Sequence, residues 1–290
     1  MRAKGYHHAM PRAGIVSAVL LASVVAVRPA AAAPGQSPSG DAAPTQTAGD
    51  ASTAASGPAL LNLNVKWVLP VSAAGGALSE LLGHHFSPES CSWCSVDRFD
   101  ESVRPHLVWE RHAGVADKLS WVTGFVVPPL LPLIAGRPLD RERLGQDFAL
   151  MAEAWAVDDG INQVVKRIAA RQRPCAHFDP AVTSKDANAS FFSGHTSGSF
   201  ALVFALYQAH RLRHDRDAGR LLAIGLPLAA ATGYLRIAAD KHWATDVGAA
   251  AAAGSLLGFL VPELHKRNQS IAVRPVASPT SVAVFVNLTP

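Results

Sequence analysis

Three short stretches between residues 166 and 246 decide the reading of this chain: Lys166-Arg-Ile-Ala-Ala-Arg-Gln-Arg173-Pro174, Phe192-Ser193-Gly194-His195 and Arg236-Ile-Ala-Ala-Asp-Lys-His242-Trp-Ala-Thr-Asp246. Seven residues turn a helix through about two revolutions, so Lys166 and Arg173 fall on one helix face, with Pro174 ending that helix. Two cations on one face suit an anion with several oxygens: Arg offers a fork and Lys a point charge. In the second stretch Ser193 stands where an N-cap would, and Gly194 lets backbone approach a ligand. The helix start beyond them presents free N–H groups to an anion, with His195 placed to give or take a proton. In the third, His242 and Asp246 are four apart, the spacing of stacked neighbours on a helix. A carboxylate there can hold one imidazole N–H and leave the other nitrogen free to attack. Arg236 closes the preceding helix and can reach the same anion. Alone, the first stretch reads better as a solvated basic helix end, helped by Arg167 and Arg171, and the other two read about as well as a Ser-capped helix start and a helix-surface His–Asp pair; the three together, in order, do not read so.

Outward from this core the chain reads as mainly helical. Apolar periodicity and cap signals predict helices near 72–83, 115–134, 140–171, 195–213, 218–237 and 242–261. The fold class expected is a mainly α bundle of about six helices with small β additions near the termini. Residues 60–69, LLNLNVKWVL, alternate apolar and polar side chains as a strand does, and 281–288, SVAVFVNL, are β-branched. The two are expected to pair. Pro128, Pro129 and Pro132 interrupt one apolar stretch, and five carboxylates between Glu142 and Asp159 would be expensive in lipid. All the helices can therefore be core helices of a soluble bundle, and a peripheral or partly embedded membrane association stays open.

Lys and Arg number 26 and Asp and Glu 22, a formal charge of +4. Four of the basic residues and none of the acidic ones precede Pro34, which leaves 22 against 22 in the rest. The basic balance thus belongs to a leader and carries no nucleic-acid reading. In residues 1–33 a charged start, the apolar run 13–27 and an Ala tract form a secretory signal peptide, with cleavage expected near Ala32 or Ala33 in preference to an uncleaved anchor. Residues 34–58, rich in Pro, Gly, Ser, Thr and Ala, read as a disordered linker. Residues 59–146 follow as accessory helices and a strand, 147–262 as the catalytic core and 263–290 as a tail with a β-strand. Cys91-Ser-Trp-Cys94 has the spacing of a small disulfide, or of half a zinc site with His84 and His85. The disulfide or two buried thiols is the preferred reading, and Cys175 has no evident partner.

The three stretches resemble the motifs of the type 2 phosphatidic acid phosphatase superfamily, which also holds bacterial class A acid phosphatases and vanadium haloperoxidases. Two positions depart from its pattern: Phe192 stands where Pro is usual, and Leu235 where Ser is usual. Neither carries charge or a proton. The resemblance implies a phosphatase acting on a phosphomonoester or diphosphate, of a lipid or a small molecule, through a phosphohistidine. In that scheme His242 attacks phosphorus, Asp246 orients it and His195 serves the leaving oxygen and then the water. Lys166, Arg173, Ser193, Gly194 and Arg236 cradle the phosphoryl oxygens. It implies no metal and no cofactor. Vanadate enters only if the chain is instead a haloperoxidase, and a further alternative is an inactive anion-binding envelope protein. An exported, periplasmic or cell-envelope location is expected, with no nucleic-acid partner. His106 and His112 read as surface residues, Asp240 and Lys241 as rim or cap residues, and Trp243 as packing. Asp117, Asp158 and Asp159 carry no chemistry legible in the sequence.

Overall fold

A computed structural model describes residues 61, 63–85, 87–134, 140–266, 271–278 and 281–288. The expected signal peptide, its cleavage site and the linker lie outside the described residues. Among the described residues eight α-helices follow one another: α1 (Val65–His85), α2 (Arg98–Leu107), α3 (Ala113–Trp121), α4 (Arg141–Ala169), α5 (Pro174–Phe178), α6 (Gly194–Leu212), α7 (Ala218–Ala238) and α8 (Ala244–Leu264). The mainly helical class expected from the sequence is what the molecule has. By itself, the C-terminal segment is an antiparallel hairpin, β1 (Ile271–Ser278) with β2 (Ser281–Leu288), in register from Ile271 opposite Leu288 to Ser278 opposite Ser281.

Three sequence expectations fail here. Of the strand expected over 60–69, residues 65–69 are helical: α1 begins at Val65, after the Asn64 carbonyl accepts the N–H groups of Trp67 and Val68. The alternation misled because α1 packs on α4 through small residues. Ser72, Gly76 and Gly83 are buried at helical spacing, while Trp67, Leu78 and Leu81 face outward. The segment 281–288 is a strand, but its partner is 271–278. The predicted helix 115–134 is also broken. It is α3, a π-helical turn at Val122–Val126 and a 3₁₀ segment at Pro128–Ile134, because Pro128, Pro129 and Pro132 deny the α-helical ladder its N–H groups.

The core lies among α4, α6, α7 and α8, with Leu150, Met151, Leu202, Val203, Leu206, Leu221 and Val261 buried together. The closest seam is α6 against α8. A Cβ on Gly254 would lie 2.0 Å from the Ser197 carbonyl oxygen, and one on Gly258 would lie 2.5 Å from that of Ala201. These two helices therefore meet backbone to backbone. Both begin at the same end, α6 after Ser193 and α8 after Trp243. Two of the helices, α7 and α8, are long and apolar enough to cross a membrane.

Candidate active site

One cavity of about 450 Å³ opens at that end of the bundle. Lys166, Arg173, Gly194, His195, Arg236 and His242 all line it, so six of the eight residues singled out from the three stretches meet there. Ser193 and Asp246 sit just behind the wall, fully buried. The remaining lining includes Asp117, Trp121, Gln163, Lys185, Asp186 and Lys241.

Lys166 and Arg173 reach the cavity by a different route from the one the spacing suggested. The helix carrying Lys166 stops at Ala169, where Ala170 turns left-handed (φ 40°, ψ 46°) and its N–H returns to the Lys166 carbonyl. Pro174 does not end that helix; it starts the next one, with Arg173 as N-cap. A left-handed turn, not a shared helix face, brings the two cations together. Arg173 is then fixed by the Asp186 backbone carbonyl (2.8 Å from Nε) and by the Asp186 carboxylate (2.8 Å from Nη2). Burial alone would raise the Asp186 pKa, but Arg173, the Ser184 hydroxyl and Lys241 outweigh it and bring it to about 2.

Ser193 is the N-cap residue of α6, yet its hydroxyl caps no N–H; it accepts a hydrogen bond from Thr196 Oγ1 at 2.9 Å. Gly194 leaves room for two side-chain ends. A Cβ there would lie 2.9 Å from Asn162 Oδ1 and 3.3 Å from Lys166 Nζ. Asn162 in turn donates to the Phe192 carbonyl at 2.8 Å, tying this loop to α4. His195 packs edge-on against Trp121 and Phe125, with ring centroids 4.7 and 5.2 Å away, and its Nε2 has no partner within the described protein.

His242 precedes α8 instead of lying in it, so His242 and Asp246 are not stacked helical neighbours. The His242 Nδ1 lies 2.8 Å from the Ser190 carbonyl and 3.8 Å from Asp246 Oδ2. A carbonyl can only accept, so Nδ1 carries the proton and Nε2 keeps its lone pair. The direct holder of the ring is thus a peptide group. Asp246 is the third residue of α8 and caps it, accepting from the Trp243 N–H at 3.0 Å. It also accepts from Ser190 Oγ at 2.5 Å, so it reaches His242 through Ser190.

Arg236 is 4% exposed and donates to the Asp117 carboxylate and, at 3.1 Å, to Ser120 Oγ. Burial, then Arg173, lower its pKa to about 10 against the pull of Asp117. Asp117 had no legible signal beyond being an acid near a helix start. Missed altogether was α2, which anchors the His242 loop. Arg104 forms two 2.7 Å bonds to Asp240, whose left-handed backbone (φ 57°) turns the chain toward His242. The Asp97 N-cap, which accepts from the Phe99 and Asp100 N–H groups, was the signal that marks this helix. Cys91 and Cys94 are bonded to each other.

Burial lowers the pKa of both His195 and His242 well below 6.5, reinforced by Arg173, Arg236 and Lys166 around them. Both rings are therefore neutral in the free protein at neutral pH. Below pH 6.5 the unfolded chain takes up protons that these folded rings refuse, so stability falls as pH drops through that value. Phosphate or vanadate among the cations offsets the charge that suppresses protonation. Its protection against thermal unfolding is expected to be larger at pH 5.5 than at pH 7.5, as differential scanning fluorimetry would read.

Asp158 on α4 is also buried, 1% exposed, and burial raises its pKa to about 7 against the Ser197 hydroxyl and Lys166. The unfolded carboxyl ionises near 3.8. Stability from this group is therefore complete below that value and declines as pH rises toward 7. Asp158→Asn is expected to raise the unfolding midpoint at pH 8 by roughly 5 °C and to leave it little changed at pH 4. Equal midpoints for variant and wild type at pH 8 would contradict this.

A comparison with curated proteins finds no match. Among solved structures, the chain is similar to the first transmembrane PAP2-type phosphatidylglycerolphosphate phosphatase from Bacillus subtilis, at 20% identity and a TM-score of 0.46, over 67% of this chain and 94% of that one. Residues 148–270, which hold all three motif stretches, match the PAP2 superfamily.

Proposed function

We propose that the protein is a metal-independent phosphatase that cleaves a phosphoryl ester or anhydride through a phosphohistidine on His242. The observation that carries this reading is the convergence of His242, His195 and three cations from separate elements on one cavity. His242 Nε2, with its lone pair free, attacks phosphorus as the P–O bond to the leaving group breaks. Lys166, Arg173 and Arg236 compensate the charge on the equatorial oxygens, the task a metal performs in other phosphatases. His195 enters neutral. Binding of the phosphoryl dianion raises its pKa, so that it takes up a proton from solvent and gives it to the leaving oxygen as the P–O bond breaks. It then takes a proton from the water that displaces phosphate from His242; this restores the neutral His242 ring and leaves His195 protonated until phosphate departs and that proton returns to solvent.

The substrate is read as a phosphorylated lipid. Trp121 lines the cavity yet is 54% exposed, and Val122, Val126, Leu130 and Leu133 continue an exposed apolar surface from it. The same surface supports contact with a membrane face. Release of inorganic phosphate from short- and long-chain phosphate esters, with EDTA present, tests the reading. Turnover in EDTA, inhibition by vanadate and faster turnover of the long-chain ester are expected. Loss of activity on chelation would overturn the metal-independent mechanism, and a bromide–peroxide reaction that needs vanadate would assign the haloperoxidase activity instead.

A further inference from the structure

Asp246 carries much of this site and is itself expensive to hold. Its carboxylate is fully buried, and burial raises its pKa despite Arg171. Arg171, 1% exposed, stands between two buried acids. Its Nη1 donates to Asp246 Oδ1 at 2.5 Å and its Nη2 to Asp100 Oδ2 at 2.7 Å. Thr245, next to Asp246, locks the second acid: its N–H reaches Asp100 Oδ1 at 2.9 Å and its hydroxyl reaches Oδ2 at 2.5 Å. The Trp93 ring covers the guanidinium at 4.1 Å. The disulfide loop that carries Trp93 is pinned beside Arg171 by Ser92 N–H to Ala170 O (3.0 Å) and Gln172 N–H to Trp93 O (3.1 Å). None of Trp93, Asp100 and Arg171 lines the cavity.

We propose that Arg171 is a positioning residue for the nucleophile, with Asp100 as its second anchor. The route is continuous: Arg171 fixes Asp246, Asp246 fixes the Ser190 hydroxyl, and the Ser190 carbonyl holds His242 Nδ1. Without the guanidinium, two buried carboxylates face each other uncompensated and Asp246 takes up a proton. The protonated acid no longer accepts equally from Ser190 and Trp243, and the His242 ring loses its fixed orientation. The cations that bind the phosphoryl group lie on other attachments, so binding survives while turnover falls. This inference rests on the reading of His242 as nucleophile.

The test uses the full chain with Arg171→Lys, Arg171→Gln, Asp246→Asn and the Arg171→Gln/Asp246→Asn double variant. Folding is followed by circular dichroism, turnover by phosphate release, and binding by competitive inhibition with vanadate. Arg171→Lys and Arg171→Gln are expected to lower kcat by about 30-fold while the vanadate inhibition constant moves less than about 3-fold. Because Arg171 acts through Asp246, adding Arg171→Gln to Asp246→Asn should cost less than about 3-fold more. Multiplying losses, or an unchanged kcat in a folded variant, would overturn the proposal. Should Arg171→Gln not fold, Arg171→Lys alone and with Asp246→Asn carries the same comparison. Nitrogen-15 NMR of the histidine rings reads positioning without turnover. The His242 Nδ1–H signal, identified by its loss in His242→Asn, should be present in wild type and displaced in Arg171→Lys. An unchanged signal overturns positioning by Arg171, whereas a displaced signal in a protein that releases no phosphate upholds it and removes only the phosphatase reading.

Discussion

Replacing His242 with alanine is expected to lower kcat by about 10⁴-fold or more, the largest effect of any single change in the cavity. The ring supplies the only attacking atom in the scheme, and its Nε2 is made available by a hydrogen bond that commits Nδ1 to the Ser190 carbonyl. The binding cations are carried elsewhere: Lys166 by α4, Arg173 by the turn before α5, and Arg236 by α7. Vanadate should therefore still bind the alanine variant as a simple anion, without the bond to nitrogen. Brief incubation of wild type with a phosphorus-32 ester, quenched in alkali, should trap acid-labile label on the protein, and His242→Ala should trap none. A variant that retains more than a tenth of wild-type turnover would eliminate His242 as the nucleophile.

Arg236→Ala comes second, with an expected loss of about 10²- to 10³-fold in kcat/KM. This guanidinium is buried and already paired, so it is preorganised and loses little on meeting the transition state. Arg236→Lys should recover only part of the loss, because a compact ammonium lacks the planar fork that spans Asp117, Ser120 and a phosphoryl oxygen. Asp117 offers the complementary prediction. Its carboxylate shares the cavity with the phosphoryl site, so Asp117→Asn should tighten inhibition by inorganic phosphate while lowering kcat through a less constrained Arg236. Inhibition constants across the three variants would check both statements; weaker phosphate binding in Asp117→Asn would contradict them.

The sequence revealed the cavity more fully than its construction. Lys166, Arg173, Gly194, His195, Arg236 and His242 were legible because each residue type is tied to one chemical task and the spacing is local. What stayed illegible is how they are held. Arg171 looked like one more charge on a solvated basic helix end, and nothing local announces a partner 71 or 75 residues away. The same holds for Arg104, which reaches Asp240 across 136 residues. Helix α2 hides because its sequence, RFDESVRPHL, offers charges in place of an apolar stripe, and those charges are what it contributes. Spacing also misled in a consistent way. Both Lys166–Arg173 and His242–Asp246 were read as faces of continuous helices. In each case one member of the pair lies at a helix end, where free N–H groups and turned backbone gather charged side chains.

The glycine seam between α6 and α8 bears on how this protein can change over time. The interval between the helix starts that present His195 and His242 is gauged by main-chain atoms of Ser197 and Ala201 against Gly254 and Gly258. Side-chain drift elsewhere in the bundle does not alter that gauge. Laboratory evolution for new leaving groups should therefore accumulate substitutions on the Trp121–Ile134 wall, while positions 254 and 258 stay glycine in every active survivor. The reactive half of the cavity is inherited as a fixed part, and the wall opposite it is free to be rewritten.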